Sequence, residues 1–318
     1  MEKGVKDCFH KPVLLSEVVE YLNLRPGRKY IDATVGGGGH AAAIVEKGGI
    51  VLGIDVDPQA VEFAKRSLAA KFKVQNSKFK IIRGNFKEIE KIAKENNFYP
   101  AAGILYDLGL SSWQLEQSGR GFSFQKDELL DMRADPDLKV TAADLVNGLT
   151  EPELTKLFEK YGEEKYARQI AGAIIRSRWD KPLRTSRELA EIASRSVRER
   201  GKRRLERIHP ATKVFQALRI AVNDELNNLQ SSLPQAFGLL EPKGRLAVIS
   251  YHSLEDRIVK NFFKETGSRG KILTKKPVTP SEAEIVENLR ARSAKLRAIE
   301  KCQSVNVSKC QGFVTMTP

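Results

Sequence analysis

The chain has 318 residues, 41% of them hydrophobic, which suffices for a full core and a second lobe when one domain takes roughly 100 to 200 residues. Its 54 Lys and Arg against 40 Asp and Glu leave a net charge of +14, which favours phosphate-bearing partners over acidic proteins without separating RNA from DNA or an anionic membrane. No apolar run approaches the roughly 18 residues of a membrane span, the N-terminal stretch has no apolar signal core, and Cys8, Cys302 and Cys310 lack CxxC spacing, so a cytosolic protein with free thiols, without a disulfide framework or zinc ribbon, is expected.

Lys29–Ala33, after the Pro26-Gly27 turn, reads as a first strand, and Gly39–Lys47 as a helix of small residues. Ile50–Ile54 is a second strand, Pro58 opens a helix as a good N1 residue, Phe79–Arg83 is a third strand and Ala102–Asp107 a fourth. Strands separated by helices imply right-handed crossovers, and hence an α/β fold with a doubly wound, mostly parallel sheet. After Trp113 the alternation stops. Amphipathic helices starting at Thr150 and spanning Glu164–Arg178 and Ser186–Arg200 predict an inserted all-helical lobe. One long helix from Ala211 to Leu240, closed by the turn Glu241-Pro-Lys-Gly244, leads into a fifth strand at Arg245–Ser250. The expected organisation is a core in two parts, 1–112 and 211–301, an inserted lobe at 113–210 and a polar tail at 302–318.

Four consecutive glycines in Asp32-Ala-Thr-Val-Gly-Gly-Gly-Gly-His40 fall between the first strand and its helix, where the backbone turns sharply and a ligand can approach the amides. Asp55 closes the second strand, where a carboxylate can accept hydrogen bonds from two ribose hydroxyls of an adenosine-containing cofactor. Gly36-x-Gly38-x-x-Ala41 also satisfies the dinucleotide pattern, so a nicotinamide cofactor stays open. Asp107 ends a central strand beside the crevice where such sheets bind ligands, and a buried carboxylate needs a partner. The sulfonium or amino group of S-adenosylmethionine, or an amine being methylated, would supply one. An exocyclic cytosine amine is a poor nucleophile until an acceptor holds its N–H, and Asp107 is the candidate for that catalytic role, or else serves only the cofactor. His10, His40, His209 and His252 show no metal-ligand spacing, and no metal is expected.

Taken together, Asp32–His40, Asp107-Leu-Gly-Leu-Ser-Ser112 with Gln114, Arg120-Gly-Phe-Ser-Phe124, Leu130-Asp-Met-Arg133, His209-Pro-Ala-Thr212 with Phe215-Gln-Ala-Leu-Arg219, and Ser250-Tyr-His-Ser-Leu-Glu-Asp-Arg257 resemble the bacterial 16S ribosomal RNA cytosine-N4-methyltransferases of the RsmH/MraW type, in order from His10 to Lys301. The resemblance implies a Rossmann-like S-adenosylmethionine-dependent methyltransferase with an inserted helical substrate lobe, acting on a decoding-region cytidine of the RNA in the small ribosomal subunit. It places cofactor contacts on Gly38, Gly39, His40, Asp55, Phe86, Asp107 and Gln114. Phe86, after the third strand, suits the adenine face. The chain departs from the family pattern at Trp113, at Glu128-Leu129 and at Leu289, where Pro, Gly-Pro and Pro are usual, and the first two lie near the expected substrate entrance.

On the substrate side, Arg195, Arg198, Arg200, Lys202, Arg203, Arg204 and Arg207, offset only by Glu199 and Glu206, suit a folded RNA backbone, with Arg203, Arg204 and Arg207 as candidate contacts. Tyr251, His252 and Ser253 follow the fifth strand at the crevice rim, where an aromatic can stack on an extruded base and polar groups can read its edge. Three other readings remain at this stage. DNA amino-methyltransferases usually carry Asp/Asn/Ser-Pro-Pro-aromatic where this chain has Asp107-Leu-Gly-Leu110. A nicotinamide oxidoreductase explains the glycine loop but not the basic cluster. A non-catalytic RNA-binding factor would keep the cofactor fold alone.

Overall fold

The computed structural model describes residues 12–72, 78–116, 118–198 and 209–303. Seven strands form one sheet: β1 (Lys29–Asp32), β2 (Ile50–Asp55), β3 (Phe79–Arg83), β4 (Ala101–Asp107), β5 (Leu240–Ser250), β6 (Gly270–Ile272) and β7 (Lys295–Lys301). Their order in space is β3-β2-β1-β4-β5-β7-β6. β7 runs antiparallel to both its neighbours, and every other pair is parallel. Helices α1 (Leu15–Leu22), α2 (Gly39–Glu46), α3 (Pro58–Lys71) and α4 (Ile89–Glu95) precede β1, β2, β3 and β4 in turn. This is the doubly wound α/β architecture, and its winding reverses between β1 and β4, where a crevice must open.

Both faces of the sheet are covered, which is why β4 is an unbroken apolar run, buried from Ala101 to Tyr106, instead of an alternating one. On one face Tyr30, Val51 and Leu105 pack with Leu22 of α1, Ile44 of α2 and Leu68 of α3. On the other, Ile31, Leu52 and Ile104 pack with Ile92 of α4. Gly103 in β4 is required by this packing, since a Cβ there would meet the Tyr30 ring at 2.9 Å.

Beyond β4 follow α5 (Ser112–Glu116), α6 (Ala142–Gly148), α7 (Glu151–Gly162), α8 (Ala167–Asp180), α9 (Ser186–Arg198), α10 (Ala211–Asn223) and α11 (Glu225–Leu239). Thr141 starts α6 with a capping box: its Oγ1 accepts from Asp144 N at 3.1 Å, and Asp144 accepts from Thr141 N at 2.8 Å. A separate apolar core joins Phe122, Leu130 and Met132 to Phe158 of α7, Ile170 of α8 and Leu189 of α9. Val214, Phe215 and Leu218 of α10, which the sequence reading counts with the returning core, belong to this same cluster. After β5 come α12 (Ser253–Glu265) and α13 (Glu282–Glu287).

Two expectations need correction. The single helix anticipated over Ala211–Leu240 is two helices, broken at Asp224, whose φ of 50° ends α10 and begins α11. Asp tolerates this left-handed conformation better than most residues. The break lets α10 fill the lobe core while Leu229, Leu233 and Phe237 of α11 pack against the sheet. Likewise Glu241–Gly244 does not separate helix from strand but lies inside β5, where Lys243 takes φ 66° and the pairing with β4 jumps from Ala101↔Leu240 to Gly103↔Arg245. Among the described residues no helix is long and apolar enough to cross a membrane.

Candidate active site

A crevice of about 600 Å³ opens at the carboxyl ends of β1, β2 and β4. Gly36, Gly37 and Gly39 form one wall. Gly36 and Gly38 have φ of 48° and 82°, so the chain can turn from β1 into α2 only with residues that tolerate the left-handed region. Gly38 stands off the wall and serves this turn, its Cβ position facing Ala64 and Leu68.

Asp55 holds the wall in place. Its Oδ2 accepts from Gly36 N and its Oδ1 from Asp57 N, each at 2.9 Å. Burial raises its carboxyl to about 6, against the opposing pull of those backbone donors. Asp32, at the end of β1, is pushed to about 7 by burial; the Thr34 amide opposes the shift, and the charges of Asp107 and Asp55 add to it. The reading from sequence did not single out Asp32, because the motif containing it carries no sign that its side chain is wholly buried.

Asp107 ends β4 on the crevice wall. Its backbone N donates to Thr34 Oγ1 at 2.7 Å, and its Oδ1 accepts from Tyr251 Oη at 2.8 Å. Its Oδ2 lies 3.7 Å from His40 Nδ1. The phenol can come this close because residue 109 is glycine: a Cβ there would lie 2.6 Å from the Tyr251 ring. Burial and the neighbouring Asp107 raise the Tyr251 hydroxyl well above the ordinary phenol value, so it stays a donor. Phe86 lines the crevice after β3 and meets Tyr106 edge-on, with centroids 5.5 Å apart. Gln114, in α5, also lines it, and its Oε1 accepts from Ser111 N at 3.0 Å.

The structure thus brings Gly39, His40, Asp55, Phe86, Asp107 and Gln114 to one crevice and links Tyr251 to it through Asp107. His252 and Ser253 lie off its wall. His252 caps α12, where its Nδ1 accepts from Glu255 N, and Ser253 Oγ donates to Glu163 at the end of α7. Arg195 is exposed on α9, whereas Arg200, Lys202, Arg203, Arg204 and Arg207 lie outside the described residues.

The opposite wall comes from the lobe and was not anticipated. Ala134, Asp135 and Leu138 line it, together with Asn223, Glu225 and the buried Glu255. Arg120 fastens this wall to the core: it pairs with Asp57 and donates to the carbonyls of Arg133 and Ala134 at 2.8 and 3.1 Å. Asp57 meanwhile caps α3 by accepting from Gln59 N at 3.0 Å. Arg83 binds Asp135 and Asp137 at 2.6 and 2.7 Å, and Asn223 Oδ1 accepts from Ala134 N at 2.7 Å. Burial opposes ionisation of Glu255, yet His252, Arg219 and the Tyr251 amide hold it below the ordinary glutamate value. Glu225, His252 and Glu255 bring potential ligand atoms within 4.8 Å of one another, but Arg219 Nε sits 2.8 Å from Glu225 and supplies the positive charge there.

A glycine wall, a carboxylate fixed at the end of β2, an aromatic after β3 and three acidic strand ends suit an adenosine derivative that carries positive charge. Burial opposes ionisation of Asp55 and of Asp32, for Asp32 together with the charges of Asp107 and Asp55, a penalty that a cation relieves and a pyrophosphate aggravates.

Comparison with known proteins agrees with this chemistry. The MraW methylase family model matches residues 7–302. The chain is 46% identical over 310 residues to the ribosomal RNA small subunit methyltransferase H of Carboxydothermus hydrogenoformans, covering 92% of this chain and 97% of that protein. It is 46% identical to the protein of the same name from Geobacter sulfurreducens, covering 92% and 98%, and 48% identical to that of Coprothermobacter proteolyticus, covering 92% and 96%. With a match along nearly its whole length, the chain belongs to the MraW methylase family.

Proposed function

We propose that the chain methylates the exocyclic N4 of a decoding-region cytidine in 16S ribosomal RNA of the small subunit, in the cytoplasm, with S-adenosylmethionine as donor. The observation that carries this reading is Asp107, a carboxylate on the crevice wall with one oxygen held by a phenol and the other without a hydrogen-bond partner among the described residues. Family membership and relatives named as small-subunit RNA methyltransferases support the substrate class.

S-adenosylmethionine supplies an electrophilic methyl group on a cationic sulfur. The residues of this chain would do the rest. Gly36, Gly37 and Gly39 admit the adenosyl group against backbone, and Asp55 turns its remaining lone pairs to the ribose hydroxyls. Phe86 would cover the adenine, and His40 and Gln114, which also line the crevice, would help hold the rest of the cofactor. Asp107 accepts the amine's N–H and lets the nitrogen lone pair leave the ring plane, a contribution of about 10² to 10⁴ in rate. Tyr251 fixes that carboxylate instead of stacking on the base. Arg203, Arg204 and Arg207 hold the RNA backbone.

The test is incubation with methyl-labelled cofactor and small subunits lacking their native cytosine methylations, followed by nucleoside analysis. Labelled N4-methylcytidine is expected. Label in another nucleoside would move the target, and label in DNA alone would replace RNA as the substrate.

A further inference from the structure

His40 sits in the first turn of α2, behind the glycine loop, and is only 6% exposed. Its Nε2 lies 3.0 Å from the Val13 carbonyl oxygen. A carbonyl oxygen can only accept, so Nε2 carries a hydrogen. In the neutral ring the lone pair is then on Nδ1, and Nδ1 is the atom that faces Asp107 Oδ2 across 3.7 Å. A histidine serving only to orient the carboxylate would present an N–H to it; here the bond to Val13 turns the basic nitrogen that way. Tyr251 binds the other carboxylate oxygen at 2.8 Å, so Oδ2 is the oxygen left between the crevice and the imidazole.

We propose that Asp107 and His40 form a proton relay in which His40 is the final acceptor, an inference that rests on the methyl-transfer reading above. As the amine lone pair forms the new N–C bond, the methyl–sulfur bond breaks and its electron pair stays on sulfur. The amine proton passes to Asp107 Oδ2 and then to His40 Nδ1, after the ring closes the gap to a hydrogen-bond distance of about 2.8 Å. Asp107 is again a carboxylate, and the imidazolium gives its proton to solvent after product leaves. The step removes the positive charge on sulfur from a crevice lined by Asp55 and Asp107, with Asp32 buried close enough to feel both charges; a proton on His40 replaces it. Asp107 from β4 faces the imidazole directly; Asp32 from β1 and Tyr251 after β5 are coupled to Asp107, and Glu284 of α13 accepts from Leu14 N at 2.7 Å, next to the Val13 carbonyl that holds Nε2.

The test uses His40→Gln, which keeps an Nε–H for Val13 and has no nitrogen that takes up a proton. Its kcat at saturating cofactor should fall about 10²-fold, a larger factor than any loss of cofactor affinity. Nitrogen-15 NMR of the ligand-free wild type gives an independent reading that needs no turnover and no variant: the neutral His40 ring, assigned by its contact with Val13, should be the Nε2–H tautomer. An active wild type with an Nδ1–H tautomer, or a variant with undiminished kcat, overturns the relay alone. A wild type that methylates no amine overturns the reaction and the relay with it.

Discussion

The two walls of the crevice handle charge in opposite ways. On the lobe wall the charges are matched: Arg120 with Asp57, Arg83 with Asp135 and Asp137, Arg219 with Glu225. On the strand-end side Asp32, Asp55 and Asp107 are satisfied by amides and a phenol, with no Lys or Arg paired to them among the described residues. Matched charge holds a shape, while unmatched charge is an affinity for something positive. The largest expected effect tests the second half of that contrast. Asp107→Asn keeps size and one accepting oxygen but removes the negative charge and the capacity to take up a proton, and should slow methyl transfer about 10² to 10⁴-fold while weakening cofactor binding far less. Equal losses in single-turnover rate and cofactor affinity would assign Asp107 to the cofactor instead.

The matched side breaks differently. Arg120→Gln strands the Asp57 carboxylate, which is 1% exposed, and an unpaired buried charge costs about 3 to 5 kcal/mol. Arg187 lies 3.8 Å from Asp127 in a pair exposed by about half on both sides, and Arg187→Gln should cost less than about 1 kcal/mol. Denaturant unfolding of the two variants measures the difference. Comparable costs would mean that Arg120 does not fasten the wall. Hydrogen exchange should meanwhile speed up at residues 133–138 only in Arg120→Gln.

How much of this was legible in the sequence follows from the same division. Strands β2 and β4 show clearly because burial on both faces leaves short apolar runs between turn signals, β1 and the edge strand β3 because β-formers recur at helix-separated spacing, and the four glycines mark where backbone must approach a ligand. β7 was missed: Lys295-Leu-Arg-Ala-Ile-Glu-Lys301 mixes charge into a strand whose Arg297 is buried by pairing with Asp256. The helix break at Asp224 was missed because apolar spacing continues on both sides of it while the packing partner changes. Arg120, Arg219 and Glu255 fall inside the family motifs without a role attached to them, since the acid or base that neutralises each one from another part of the fold leaves no local signal. Asp55 and Asp107 announce themselves by closing their strands, whereas Asp32, inside the glycine motif, does not; matched charges depend on tertiary contacts.

A smaller effect comes from Asp32, whose carboxyl is raised from 3.8 to about 7. The folded state binds its proton more tightly than the unfolded chain does, so this stabilisation is complete below pH 4 and is lost as pH rises toward 7. Asp32→Asn should therefore be more stable than wild type at pH 8, on the order of a few kcal/mol, and show less pH dependence between 4 and 8. The cofactor reverses the sign. A cation in the crevice favours the ionised carboxylate, so binding should release protons and tighten as pH rises to about 7. Calorimetry in buffers of different ionisation enthalpy reads that release; proton uptake instead would mean that Asp32 is not relieved by the cofactor.

The smallest effect concerns the arginine cluster that follows Arg195 in the sequence. Arg195 is exposed on α9 and makes no ion pair among the described residues, and Arg203, Arg204 and Arg207 follow it in the chain. Replacing Arg203, Arg204 and Arg207 together with Gln should weaken binding to small subunits and reduce the slope of log affinity against log salt by about 2, if all three contact phosphates. Because these contacts position the RNA without taking part in the transfer, kcat at saturating subunit should stay near wild type while KM rises. A kcat that falls with an unchanged salt slope would remove these arginines from the RNA interface and give them a structural part like that of Arg120.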